Sequence, residues 1–190
     1  MSDNIRIRTA IIEDAEAILN LENSVISEGE YFIATADELS DTPIQKQKEW
    51  IQRLLENVRE NLIVAEVNGE VIGWISFHSY NPKRLSHTGS MTLMITKNHR
   101  GMGVGKKLLK ELLKWAEKNP LIEKVSLGVF STNQRAISLY KSMGFIEEGR
   151  KIKEFKFSDK EYVDDILMYK FVSKRMLEEY PTFLDKSKRR

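Results

Sequence analysis

One strand–loop–helix unit constrains this 190-residue chain more than any other feature. Alternating apolar residues from Met91 to Ile95 predict a strand, and leucines at helical spacing from Leu108 to Ala116 predict a helix. Between them lies the glycine-rich loop Arg100–Gly105. Glycines let the backbone turn sharply, and free amides converge with the positive end of the dipole where a helix begins. The unit therefore predicts an anion or phosphate site, to which Arg100, Lys106 and Lys107 add positive charge.

Two known phosphate-binding motifs do not fit this loop. A Walker motif needs glycine five residues before Gly105 and serine or threonine at position 107, where the chain has Arg100 and Lys107. The dinucleotide fingerprint fails because Gly105 comes one residue too early after Gly101 and Gly103. Taken alone, the loop is also compatible with a glycine-rich turn that only caps the helix.

Before the loop, the patterns predict a strand, two helices and a hairpin. The strand lies at Ile5–Arg8, because apolar and polar residues alternate there, and the first helix follows from Ile12 to Glu22. The segment from Asn23 to Leu39 is irregular and is expected to be loop-like. Thr42-Pro43 supplies a capping hydroxyl and a proline for the first position of the second helix. Asn68-Gly69, between two β-rich runs, is the strongest short signal for a hairpin.

After the loop and its helix, the patterns predict a strand, a short helix and a closing hairpin. The strand covers Val125 to Phe130, and the helix covers Asn133 to Ser142, with Gly144 suited to a left-handed C-cap. Lys151 to Phe157 and Tyr162 to Val172 form the hairpin. This order of elements favours a mixed α/β (α+β) fold with a largely antiparallel sheet over a doubly wound fold.

A second motif follows the strand after the glycine loop. It is the stretch Asn133–Tyr140, with Ala136 inside it, followed by Gly144-Phe145. In this order and spacing, it and the loop Arg100–Gly105 resemble the two signatures of the GNAT family of N-acetyltransferases. The resemblance covers the chain from about Ile5 to Phe171 and is closest to the branch of ribosomal-protein N-terminal, spermidine and amino-acid acetyltransferases.

The resemblance implies the fold and its boundaries. The expected fold is GNAT-like: a central sheet flanked by about four helices, with a V-shaped splay between two parallel central strands. A single acetyltransferase domain would cover residues 1–172, and residues 173–190 would form a tail that is partly helical or frayed. Acetyl-CoA, as co-substrate, would lie in the V.

The resemblance also implies which residues contact acetyl-CoA. The strand backbone would hold the pantetheine and polarise the thioester carbonyl, which is oxyanion-type stabilisation. The loop amides would meet the pyrophosphate. The implied cofactor-binding residues are Met94, Ile95, Arg100, Gly101, Met102, Gly103, Val104, Gly105, Lys106 and Asn133.

Tyr140 is implied as the general acid that protonates the departing thiolate. Without the motif, a tyrosine on the apolar face of a short helix is more simply a core residue. Asn133 has two compatible interpretations, a contact with the pantetheine and a cap for the helix.

The general base and the acceptor are less well defined by the sequence. Many family members carry a glutamate on the strand before the loop, and the corresponding residue here is Ser90. An alkylammonium must lose a proton before it attacks, so a base or a water chain is expected. The candidates are Glu28, Glu30, His78, His87 and water. The expected substrate-binding residues are Glu28, Glu30, Tyr31 and His87, and the expected acceptor is a primary amine of a small molecule or a protein N-terminus.

Composition excludes several other classes of function. The chain has no cysteine and three histidines, so disulfides, thiolate chemistry and a multi-histidine metal site are not expected. The net charge of +2 gives no bulk attraction to nucleic acid or anionic lipid, and no apolar run is long enough for a bilayer span. A cytoplasmic protein with no metal, nucleic-acid or membrane partner is therefore expected. The basic run Lys186–Arg190 is interpreted as a solvated end. The closing strand and the apolar residues Met176, Leu177, Tyr180 and Phe183 have two open interpretations, packing against a second copy in a homodimer or against the same chain.

Two other functions are compatible with the same residues. A domain that keeps the CoA cleft without catalysis would act as an acyl-CoA sensor, which Ser90 favours and Tyr140 opposes. A nucleotide-binding structural protein is the third hypothesis.

Overall fold

Seven strands form a single sheet in a computed structural model that describes residues 5–39 and 42–180. They are β1 (Arg6–Thr9), β2 (Asn61–Val67), β3 (Glu70–Ser79), β4 (Thr88–Ile95), β5 (Lys124–Phe130), β6 (Ile146–Lys156) and β7 (Tyr162–Phe171). Their order across the sheet is β1-β2-β3-β4-β5-β7-β6. Neighbouring strands are antiparallel, except that β4 and β5 run parallel.

Helices cover both faces of this sheet. They are α1 (Ala15–Ile26), α2 (Ala36–Leu39), α3 (Ile44–Glu56), α4 (Val104–Lys118), α5 (Gln134–Ser142) and α6 (Lys174–Glu179). The expected mixed α/β fold with a largely antiparallel sheet is confirmed. Of the helices in the described ranges, none is both long enough and apolar enough to cross a membrane.

The two parallel strands separate soon after they meet. The pairing of β4 with β5 runs only from Thr88 opposite Lys124 to Ser90 opposite Ser126. Beyond these pairs β4 continues to Ile95 and β5 to Phe130, so a V opens between them. The splay expected from the family resemblance is confirmed.

Two apolar clusters hold the helices against opposite faces of the sheet. On one face, the leucine stripe of α4, with Leu108 and Leu112 fully buried, packs with Leu127 of β5 and Met168 of β7. The other face carries a separate cluster in which Ile51 of α3 is buried. Because side chains alternate between faces along a strand, these clusters assign a face to every residue of β4, β5 and β7.

The hairpin between β2 and β3 forms as the sequence predicts. Asn68 and Gly69 have φ values of 52° and 86°. Positive φ at both central residues is what a tight turn of this type requires, and asparagine and glycine tolerate it best.

Two expectations for the segment between the first strand and the hairpin are wrong. The segment from Asn23 to Leu39 is not wholly irregular, since α1 continues to Ile26 and α2 begins at Ala36. Burial of Val25 and Ile26 extends the apolar face of α1 by a further turn. The next helix begins at Ile44, and Pro43 is its N-cap, because the backbone at Pro43 is extended with a ψ of 140°.

The closing hairpin is longer than predicted. β6 begins at Ile146 rather than Lys151, because Ile146 pairs with Tyr169 of β7. Irregular register between Lys151 and Phe155 and a φ of 54° at Lys153 interrupt the alternation on which the prediction depended. The basic run Lys186–Arg190 lies outside the described residues.

Candidate active site

A cleft of about 1020 Å³ lies where β4 and β5 separate. Its wall includes residues from β4, the glycine loop, the end of β5, α5 and the segment after α1. The β6–β7 hairpin contributes Phe155 and Asp165. The cleft thus gathers elements that are far apart in the sequence around the open V.

The glycine loop shapes one end of this cleft. Gly101 and Gly103 have φ values of 81° and 83°, in the left-handed region that favours glycine. The amide of Lys107 donates to the carbonyl of Gly103, which is the N-cap residue of α4. The amides that precede Lys107 in the first turn have no carbonyl one turn back within the helix to bind. The loop therefore presents main-chain donors at the positive end of a 15-residue helix.

Gly105 has a packing role. A Cβ atom at this position would lie 3.1 Å from the side chains of both Ile95 and Leu139. The absence of a side chain at position 105 therefore lets the first turn of α4 lie close to the end of β4 and to α5 without displacing these side chains. Gly105 and Lys106 both line the cleft.

Arg100 makes its side-chain contacts with the protein. Its Nε donates to the carbonyl oxygen of Ile95 at 3.0 Å, and its two terminal nitrogens donate to the two carboxylate oxygens of Glu28. Glu28 is one of the expected substrate-binding residues, and the loop amides from Arg100 to Lys106 are expected to meet the pyrophosphate. The structure pairs the side chains of Arg100 and Glu28, and further positive charge in the cleft wall comes from Lys97, Lys106 and Arg135.

Helix α5 places Asn133 and Tyr140 on the cleft wall. The side chain of Asn133 accepts a hydrogen bond from the amide of Ala136 at 3.1 Å, which makes it the N-cap of α5. Tyr140 is buried, with 7% of its surface exposed, and its ring lies 5.9 Å from that of Phe145. Burial raises the pKa of the Tyr140 hydroxyl above its ordinary value, because the phenolate is poorly solvated there. The hydroxyl therefore stays protonated at physiological pH.

The expected substrate-binding residues are only partly brought together. Glu30 and Tyr31 line the cleft, whereas His87 is not among the lining residues. His78 lies elsewhere, with its ring 6.0 Å from that of Trp50, and burial lowers its pKa. Ser90, at the position for which the family resemblance implied a glutamate in many members, lines the cleft on β4.

The structure adds lining residues that sequence reasoning missed. Asp165 of β7 is a buried carboxylate in the cleft wall, and Gly128, Phe130 and Phe155 lie on the same wall. The available signal for Asp165 was a pair of acidic residues, Asp164-Asp165, directly before the apolar run Ile166–Met168. That signal could not be interpreted without knowing which strands flank β7.

The charges that line the cleft are separated by sign. The lining cations all belong to the region around the glycine loop and the start of α5: Lys97, Arg100, Lys106 and Arg135. Among the described residues, the lining carboxylates are Glu30 and Asp165. The cleft therefore offers cations to an anionic group near the glycine loop, and these two carboxylates come from other segments of the chain.

Comparisons with known proteins agree on one family for this chain. Residues 27–145 match the acetyltransferase (GNAT) family, a span that contains β4, the glycine loop, α4 and α5. The chain is 32% identical over 144 residues to YwnH of Bacillus subtilis (strain 168), covering 75% of this chain and 85% of YwnH.

Two further similarities concern an enzyme and a solved structure. The chain is 28% identical over 119 residues to the L-amino acid N-acetyltransferase AaaT of Escherichia coli (strain K12), covering 63% of this chain and 73% of AaaT. The fold is similar to that of yncA from Salmonella typhimurium, whose structure contains its cofactor acetyl-CoA. That similarity has a TM-score of 0.79 at 23% identity, over 89% of this chain and 94% of yncA.

Proposed function

The chain belongs to the GNAT family of acetyltransferases, and we propose that it transfers the acetyl group of acetyl-CoA to a primary amine of a small molecule or of a protein N-terminus. The observation that carries this proposal is the meeting of three features in one cleft. These are the main-chain donors at the start of α4, the open V between β4 and β5, and the protonated hydroxyl of Tyr140.

The loop end of the cleft suits the phosphates of acetyl-CoA. An added Cβ at Gly101 or at Gly103 would meet no atom within 4 Å, so there is open space beside the loop backbone. Amides at a helix N-terminus bind phosphate well, since they add directed donors to the positive end of the dipole. Lys106 supplies a positive charge at the same end. The cleft volume of about 1020 Å³ lies at the upper end of the range typical of ligand sites.

The β4 edge is the second part of the proposed cofactor site. Beyond Ser90, the backbone of β4 has no β5 partner, and Met94 and Ile95 line the cleft there. Main-chain groups on that edge are available to hydrogen-bond an extended amide chain such as pantetheine.

Bound acetyl-CoA would supply a thioester. The amine nitrogen bonds to its carbonyl carbon and releases one proton to solvent, while the carbon–sulfur bond breaks and the sulfur takes a proton. We assign that proton to the hydroxyl of Tyr140. Its raised pKa keeps the proton in place before the reaction. Burial also makes a thiolate more basic, so a sulfur in the same apolar environment becomes a better proton acceptor than it is in water.

The experiment that tests this function measures acetyl-CoA-dependent release of free thiol with a panel of amines. The panel contains amino acids, polyamines, aminoglycosides and ribosomal-protein N-terminal peptides. Amine-dependent release supports the transferase and identifies its acceptor class.

An acyl-CoA sensor without catalysis is the second candidate function. The serine at position 90 favours it, because the glutamate that many relatives use is missing there. CoA binding without thiol release for any amine in the panel would support the sensor over the enzyme.

A further inference from the structure

We propose that the acceptor is a primary amine with a single positive charge and an apolar substituent, and that Asp165 binds its ammonium group while Phe130 and Phe155 contact the substituent. This inference rests on the proposed function, because it assigns the acceptor end of the same cleft.

Asp165 lies on the opposite face of the sheet from α4. Leu127 and Val129 of β5 and Ile166 of β7 belong to the cluster that packs on α4. Successive side chains of a strand point to opposite faces of the sheet. The neighbours of these residues therefore point to the other face: Gly128 and Phe130 of β5, and Asp165 of β7. Tyr140 belongs to the α4 cluster, so the cleft passes through the V between a proton donor on one face and a carboxylate on the other.

Gly128 gives the Asp165 carboxylate its position. A Cβ at Gly128 would lie 2.8 Å from Oδ1 and 3.3 Å from Oδ2 of Asp165. The carboxylate thus lies over the backbone of β5, in space that any other residue at position 128 would fill. Gly128 lines the cleft too, so the carboxylate is placed at the acceptor side of the V.

The charge of Asp165 is only partly compensated by the protein. The residue is 8% exposed, and Lys151 Nζ lies 3.6 Å from its Oδ2, which is longer than a hydrogen bond. The same ammonium is closer to Glu154, at 3.2 Å, and half of the Lys151 side chain is exposed. A buried carboxylate is costly unless it is paired and hydrogen-bonded, so a ligand ammonium is a suitable additional partner for Asp165.

Aromatic side chains form the adjacent surface. Phe130 pairs directly with Asp165 across β5 and β7. The ring of Phe130 stacks on that of Phe155 at a centroid distance of 4.3 Å, and both rings line the cleft. Phe32, from the segment after α1, also lines it. A ligand whose ammonium reaches Asp165 therefore places its next carbons against an aromatic wall.

One buried carboxylate beside an aromatic surface favours a ligand with one positive charge over a ligand with several. Besides Asp165, the only lining carboxylate in the described part of the chain is Glu30, which lies in an exposed segment. A polyamine would place its further ammonium groups against Phe130 and Phe155 without carboxylates to receive them.

The test measures binding rather than turnover. We would titrate 2-phenylethylamine by calorimetry into the full-length protein saturated with CoA, and repeat the titration with 2-phenylethanol and with spermidine. The variants are Asp165→Asn, which removes the charge, and Gly128→Ala, which displaces the carboxylate. Asp159→Asn is the matched control, because this side chain is 92% exposed and pairs only with Lys156 among the described residues.

The expected result is at least about tenfold weaker binding of 2-phenylethylamine by both Asp165→Asn and Gly128→Ala, which is about 1.4 kcal/mol. Asp159→Asn should bind like the wild type, and all variants should retain CoA affinity. Spermidine and 2-phenylethanol should bind the wild type more weakly than 2-phenylethylamine.

Three outcomes would overturn the inference: unchanged affinity of Asp165→Asn, tighter binding of spermidine, or equal binding of the alcohol. A wild-type protein that binds CoA but not 2-phenylethylamine would overturn only this inference, whereas one that binds no CoA would overturn the proposed function as well.

Discussion

The guanidinium of Arg100 holds both carboxylate oxygens of Glu28, although the two residues are 72 positions apart. The distances are 2.6 Å and 2.8 Å, and the two side chains are only 19% and 14% exposed. Arg100 also donates to the carbonyl of Ile95 at the end of β4. Since Glu30 and Tyr31 follow Glu28 on the cleft wall, this ion pair joins the segment after α1 to the glycine loop.

The first prediction concerns the energy of this pair. Replacing Glu28 or Arg100 by alanine should lower the free energy of unfolding by about 1–3 kcal/mol, because the remaining partner stays partly buried without its counter-charge. The double variant should cost little more than either single variant. A double-mutant cycle in urea unfolding measures this coupling.

The exposed pair of Glu111 and Lys114 on α4 is the control for that cycle. These side chains are 47% and 56% exposed, so their coupling should be close to zero. Additive effects of the Glu28 and Arg100 substitutions would contradict the role assigned to the pair.

The second prediction concerns the proton of Tyr140. Tyr140→Phe should lower kcat by about 10²–10⁴-fold, which is the usual contribution of a positioned acid. The affinity for CoA should be unchanged, because the ring still fills its place beside Phe145. Thiol-release assays measure kcat, and calorimetric titration measures the affinity for CoA. Tyr162→Phe, at a half-exposed tyrosine of the β6–β7 hairpin, should match the wild type in both. Wild-type turnover in Tyr140→Phe would remove the general-acid assignment.

The third prediction is a pH profile. Because burial raises the pKa of Tyr140 above its ordinary value near 10, its hydroxyl stays protonated up to that pH. The wild-type kcat should therefore not fall between pH 8 and pH 10, a range in which amine acceptors increasingly lose their proton. A steep loss of kcat across this range, with the protein still folded by circular dichroism, would argue against a buried phenol as the acid.

The fourth prediction separates loop geometry from stability. Gly103→Ala places a side chain at a φ of 83°, which costs about 1–2 kcal/mol, and redirects the amides at the start of α4. CoA affinity should fall by at least about tenfold, equivalent to 1.4 kcal/mol. Gly69→Ala has a similar φ of 86° in the β2–β3 turn, so it should lose similar stability and keep CoA affinity. Equal CoA affinity in the two variants would show that the loop conformation does not matter for binding.

The fifth prediction concerns the pH dependence of stability. Burial raises the pKa of Glu22 on α1 from 4.5 to about 7, although Gln47 of α3 donates a hydrogen bond to it at 3.3 Å. A folded-state pKa above the unfolded value means that the folded protein binds the proton more tightly. The resulting stability is present below pH 4.5 and is lost as the pH rises through 7. Since a tenfold change in proton affinity corresponds to about 1.4 kcal/mol, the loss is of the order of 3 kcal/mol.

Glu22→Gln tests that dependence, since it keeps the shape and removes the titration. The free energy of unfolding should change less between pH 5 and pH 8 in this variant than in the wild type, and should be higher at pH 8. Glu16→Gln, at an exposed position of the same helix, should keep the wild-type dependence. If the free energy of unfolding of Glu22→Gln depended on pH as it does in the wild type, groups other than Glu22 would be responsible for that dependence.

Some elements could be predicted from short stretches of sequence. Asn68-Gly69 determines a turn because two adjacent residues tolerate positive φ. Asn133 caps α5 through a bond to an amide three residues away, and Gly144 follows α5 with a φ of 84°. The start of α4 likewise depends on a residue with positive φ, Gly103, and on the amides that follow it. This is why the sequence was sufficient to propose a phosphate site there.

Other features depended on strand order and on contacts between distant segments. The ion pair between Arg100 and Glu28 joins two segments that are far apart in the sequence. Asp165 has a place in the cleft because β7 lies between β5 and β6, so that Phe130 and Gly128 become its neighbours. The strand β6 begins at Ile146 and not at the predicted Lys151, because its irregular register with β7 hides the alternation of side chains in the sequence.

The sequence alone therefore determined the order of elements and the loop at the start of α4, because these follow from backbone preferences and hydrogen bonds within a few residues, and its two motifs were sufficient to show the resemblance to the family. Only the tertiary structure decided which carboxylate lies at the acceptor end, which one pairs with Arg100, and which aromatic rings form the wall. The Arg100–Glu28 pair alone joins positions 72 residues apart, and such relationships exist only once the register and order of the strands have been fixed by burial of both faces of the sheet.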